Sequence, residues 1–123
     1  MSTSESQMQV LDNVMDMVSV QPEATVSRTV MSTEGGNVVL FSFDEGQELS
    51  EHTAAMPAFI QVLRGRLLVK GGDDEREIHP GSLVYLPTRL PHAVKALEPS
   101  VMLLTMITAA RAADAIDSRA ERR

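Results

Sequence analysis

The sequence predicts an all-β domain, a sandwich or small barrel, on three observations. From Thr25 onward, short apolar runs recur, divided by glycine, proline and aspartate clusters. No long segment of helical periodicity separates one run from the next. Within the runs, apolar residues either alternate, as on a half-buried strand, or occupy both faces. Short strands at this spacing, without crossover helices, belong to antiparallel sandwiches and barrels.

Each element follows from its residues. Met1–Gln7 is polar and is expected to be disordered. Over Met8–Val18, the residues Val10, Leu11, Val14 and Val18 repeat at helical spacing, which predicts a short amphipathic helix that Pro22 ends. Thr25–Met31 and Asn37–Phe43 flank Thr33-Glu34-Gly35-Gly36 and read as a hairpin. Ala58–Leu63 and Arg66–Lys70 lie on either side of Gly65, and Gly71-Gly72-Asp73-Asp74 turns the chain into Glu75–His79. Pro80-Gly81 leads to Leu83–Leu86, a loop runs over Pro87–Pro91, and Ala93–Ala96 and Val101–Ile107 complete the sheets. Ala109, Ala113, Ile116 and Ala120 form a stripe that predicts a C-terminal helix. The division is a tail and helix over 1–24, a barrel over 25–108 and a helix or tail over 109–123.

A chain of 123 residues makes one domain with a single core. Its net charge of −6 argues against nucleic acid or an anionic membrane as partner. Cysteine is absent, which excludes disulfides, thiolate zinc sites and a cysteine nucleophile. No signal peptide is visible, and the longest apolar run, Val101–Ala110, is too short to span a bilayer. A cytoplasmic protein is expected.

Two stretches carry the chemistry. In the first, Gly46, His52 and Gly65 fit the pattern G(X)5HXH(X)3–4E(X)6G; in the second, Gly81, Pro87 and His92 fit G(X)5PXG(X)2H(X)3N. On these residues the chain resembles the small single-domain, RmlC-like cupins, over roughly Val38–Ile107. The resemblance implies a double-stranded β-helix, the cupin jelly-roll barrel, here with short N- and C-terminal helices. It also implies a departure. Ala54 and Ala58 stand where the metal-binding members present a histidine and a glutamate, and Arg89 and Ala96 replace a glycine and an asparagine.

Strand parity sets the expected lining. If His52 faces inward, so does Ala54; Ala58 carries Ile60 with it, and His92 carries Val94 and Ala96. The candidate ligand-binding residues are therefore His52, Ala54, Ala58, Ile60, His92 and Val94, around an apolar cavity. For a metal, His52 and His92 are the candidate ligands. Glu48, four residues before His52, shares its face if the segment is extended, and is the best third. Imidazole and carboxylate suit zinc, nickel, iron or manganese. Buried wall histidines, hydrogen-bonded and without function, are the plain alternative. Tyr85 is expected on the outer face, His79 in solvent, and Arg89 near the cavity mouth.

Val38–Phe43 and Val101–Ile107 are apolar on both faces, so something must cover the outside of their sheet. Either the terminal helices fold back over it or a second subunit packs there, and the resemblance favours a homodimer. The expected function is small-molecule binding in an apolar barrel. The alternative is a metal-dependent oxygenase or isomerase with a two-histidine site.

Overall fold

The structure is a computed structural model that describes residues 7–109. The expected C-terminal helix lies outside those residues except for Ala109, and so does the tail before Gln7. Among the described residues, nine antiparallel strands follow one another: β1 (Thr25–Ser32), β2 (Asn37–Phe43), β3 (Glu48–His52), β4 (Ala58–Arg64), β5 (Leu67–Gly71), β6 (Asp74–Ile78), β7 (Leu83–Leu86), β8 (His92–Ala96) and β9 (Ser100–Met106). They form a five-stranded sheet in the order β1-β2-β9-β4-β7 and a four-stranded sheet in the order β3-β8-β5-β6. This is the double-sheet jelly roll.

Alternation fills the space between the sheets. Ile60, Val62, Met102, Phe43 and Leu86 from one sheet meet Leu67, Val69, Ile78, Val94 and Ala96 from the other in one buried cluster. Two turns show why glycine is needed. Gly72, at φ 61°, opens the two-residue loop that brings Gly71 opposite Asp74. Gly65 combines φ 89° with a backbone so near Ser100 and the Pro99 carbonyl that a side chain has no room. The buried Ser100 hydroxyl accepts the Arg66 amide hydrogen bond at 3.1 Å and donates to the Glu98 carbonyl at 2.7 Å.

The N-terminal segment departs from expectation. In place of a helix over Met8–Val18 there is a single 3-10 turn, Val14–Met17, whose Asn13 cap makes no side-chain hydrogen bond. Met8 and Val10 stay 89% and 63% exposed, so the apolar stripe gains nothing by coiling. A helix this short forms only when packing supports it. The segment instead runs along the outer face of the five-stranded sheet. Ser42 Oγ donates to the Ser19 carbonyl at 2.9 Å and Arg28 Nη1 to the Met17 carbonyl at 2.8 Å. Leu40, Ser42 and Val101 point to this outer face and are nevertheless buried. The cover anticipated for these strands is thus supplied in part by the chain itself. Among the described residues, no helix is long and apolar enough to cross a membrane.

Candidate functional site

His52 and His92 are direct cross-strand partners of β3 and β8. Their rings lie edge to face, with centroids 4.3 Å apart and planes at 64°. Parity places His92 on the inner face with the buried Val94 and Ala96; its ring is half-buried, whereas His52 is exposed. The pair therefore sits at the rim of the barrel and not deep within it. Each ring is oriented in the same way. His52 Nδ1 lies 2.8 Å from the Ser50 carbonyl and His92 Nδ1 lies 2.8 Å from the Leu90 carbonyl. A carbonyl only accepts, so each Nδ1 carries the hydrogen and each Nε2 of the neutral ring keeps its lone pair.

Glu48 does not join them, which corrects the expectation of a shared face. Glu48 pairs with Lys95 and Leu49 with Val94, but His52 pairs with His92, so β3 holds one extra residue between Leu49 and His52. That bulge reverses parity. His52 turns to the inner face while Glu48 remains outside, beside Leu68, Lys70, Glu75 and Lys95. Among the described residues, no group of three histidine, cysteine, aspartate or glutamate side chains is placed to hold a metal ion. Two neutral imidazoles bring no charge and too few donors for the three protein ligands of an ordinary catalytic site. Among the described residues, the imidazole pair alone does not supply those three.

The other expected lining residues divide. Ala54 lies in the loop after β3, half-buried, and its carbonyl accepts a 2.8 Å hydrogen bond from the Arg89 amide. That bond ties the β3–β4 loop to the β7–β8 loop over the barrel mouth. Arg89 adopts φ 64°, the left-handed conformation that favours glycine, at a cost of roughly 1–2 kcal/mol. Ala58, Ile60 and Val94 are buried at 8%, 1% and 3% exposure. Tyr85 and His79 are exposed, as expected.

A cavity of about 160 Å³ lies at the edge formed by β6 and β7, lined by Val69, Gly71, Asp74, Arg76, Val84, Tyr85, Leu86 and Leu90. None of these residues was expected in the site. The signal was present in Asp74-Glu75-Arg76-Glu77-Ile78, where Asp74 and Arg76 share the parity of the buried Ile78. The adjacency to the imidazoles is direct, since Gly71 is the cross-strand neighbour of His92.

Residues 39–108 match the family model described as the cupin domain. The chain belongs to the cupin family. Solved structures agree with this. A conserved protein of unknown function from Streptococcus pyogenes is 27% identical, with a TM-score of 0.72 over 82% of this chain and 88% of that one. An RmlC-like cupin from Desulfovibrio desulfuricans is also 27% identical, with a TM-score of 0.73 over 82% and 97% of the two chains. A cupin superfamily protein from Desulfitobacterium hafniense shares the fold at 19% identity, with a TM-score of 0.73 over 82% and 92%. No protein of curated function matches this cupin.

Proposed function

We propose that this cupin binds a small molecule at the barrel mouth through His52 and His92. One observation carries this reading: two imidazoles 4.3 Å apart, each fixed by a backbone carbonyl at Nδ1, each keeping Nε2 for a ligand. Rings held in this way are preorganised acceptors for a hydroxyl or amine, and the ligand orders no side chain in binding them. Wall histidines without function need no such matched orientation across two strands.

A metal-dependent oxygenase or isomerase is the second reading. It is favoured by the same Nδ1–carbonyl bonds, which orient metal-ligating histidines generally. It would require further ligands from water or the substrate. Metal analysis of tag-free protein separates the two. A metal-free protein whose His52 and His92 ring resonances shift with added polyol or amine supports binding. Stoichiometric zinc, nickel, iron or manganese, lost in both His52→Ala and His92→Ala, replaces it with the metal reading.

We also infer a homodimer formed through the outer face of β4 and β7. Leu83 is 66% and Tyr85 54% exposed there, and Phe59 packs on the Tyr85 ring with centroids 5.1 Å apart. Apolar residues grouped in this way on one face suit a two-fold contact.

A further inference from the structure

The edge strand β6 carries two charged residues on its inner face. Its pairing with β5 sets Asp74 opposite Gly71, Arg76 opposite Val69 and Ile78 opposite Leu67. Leu67, Val69 and Ile78 are buried, which marks this as the inner face. Asp74 and Arg76 therefore stand at the polar side of the 160 Å³ cavity, above a floor of Val69, Val84, Leu86 and Leu90. The space exists partly because Gly71 has no side chain; a Cβ there would press on a Leu90 methyl at 3.2 Å.

The two charges form one ion pair, Arg76 Nε to Asp74 Oδ1 at 3.2 Å. That contact uses one of five guanidinium donors and one carboxylate oxygen. Among the described residues, the structure records no other side-chain partner for either group. A simple carboxylate entering the cavity would gain Arg76 but meet the charge of Asp74. A simple amine would gain Asp74 but meet the guanidinium. A ligand carrying both charges on adjacent groups satisfies both. The volume sets the rest, since an apolar cavity of about 150 Å³ accepts a body the size of benzene.

We propose that this cavity binds a small apolar α-amino acid of about the size of leucine. Its carboxylate meets the Nη atoms of Arg76, its ammonium meets Asp74, and its side chain enters the apolar floor. None of these side chains belongs to the imidazole pair, so the site goes beyond the function proposed above and survives its failure. The two are neighbours all the same: Leu90 walls the cavity with its side chain and holds His92 with its carbonyl.

The test titrates the full chain with L-leucine, 4-methylpentanoate and 3-methylbutylamine, the last two lacking one charge each. Binding is followed by the backbone amide shifts of Gly71 and Leu90 and the Nε–H shift of Arg76. L-leucine is expected to saturate these shifts with an affinity at least about tenfold above either analogue, the weight of one charge-assisted hydrogen bond. Arg76→Gln and Asp74→Asn are each expected to abolish that preference, while His52→Ala leaves it in place. Both replaced side chains are exposed, so neither variant threatens the fold. Equal affinity for all three compounds, or no saturable shift with any, overturns the proposal. Either result reduces the pair to a guard that keeps the β6 edge from recruiting another chain. Loss of leucine binding in His52→Ala alone would move the ligand to the barrel mouth and also overturn it.

Discussion

The outer face of the β3-β8-β5-β6 sheet carries Glu48, Lys95, Lys70, Glu75 and Glu77, whereas the outer face of the β1-β2-β9-β4-β7 sheet carries Leu40, Val101, Leu103, Phe59 and Leu83. The first is wet and laced with exposed ion pairs. Arg66 bridges Glu77 at 2.9 Å and Glu98 at 2.8 Å, and Lys70 lies 3.8 Å from Glu51. The second is covered by the N-terminal segment at β2 and β9 and left apolar at β4 and β7. The two sheets share one core, so their difference lies wholly outside it. The inner faces specify the barrel, and the outer faces specify what the barrel meets.

Removing the cover should break this contrast most severely. A variant begun at residue 21 strips Leu40 and Val101 of their shield and should lose roughly 3 kcal/mol of unfolding free energy, from two buried side chains returned to water. Urea denaturation measures it, and unchanged stability would mean that the segment shields nothing. A smaller effect is expected at the uncovered end of the same sheet. Leu83→Lys with Tyr85→Lys should weaken self-association at least about tenfold in sedimentation experiments, and should alter monomer stability by no more than about 0.5 kcal/mol because both side chains are exposed. A wild-type protein that stays monomeric at high concentration would remove the dimer altogether. The smallest effect belongs to the wet sheet. Hydrogen bonds to Glu98 and then Glu77 raise the Arg66 pKa above its ordinary value, yet the side chain is exposed. Arg66→Ala should therefore cost little, and added salt should erase what it costs. A large, salt-insensitive loss would show that this face also hides an interaction.

Much of this was legible because alternation is a local property. The parity of Ala58, Ile60 and Val62, and of His92, Val94 and Ala96, follows from period two alone, and the pairing of His52 with His92 agrees with it. The runs at Val38–Phe43 and Val101–Ile107 correctly announced a covered face. What escaped depends on context. Glu48–His52 did not read as a strand because four of its five residues are polar and exposed or half-exposed at the rim; only its ladder with β8 makes it one. The bulge inside it leaves no trace in residue type, so Glu48 was placed on the wrong face. The helical stripe over Met8–Val18 was real as a pattern, but the sheet surface competed for the same apolar residues and won. The cavity at β6 and β7 escaped because it opens where the edge strands of the two sheets meet, and strand order is not written in residue type.

The bulge in β3 has a consequence for how such a barrel can change. With every residue kept but the bulge absent, the ladder that pairs Leu49 with Val94 would continue to set Glu51 against His92, and His52 would face outward. Smoothing out the bulge would thus trade an imidazole for a carboxylate at the rim without substituting any amino acid, whereas deleting one of its residues would keep His52 opposite His92. Register in a single short strand is, in this architecture, a way of editing chemistry.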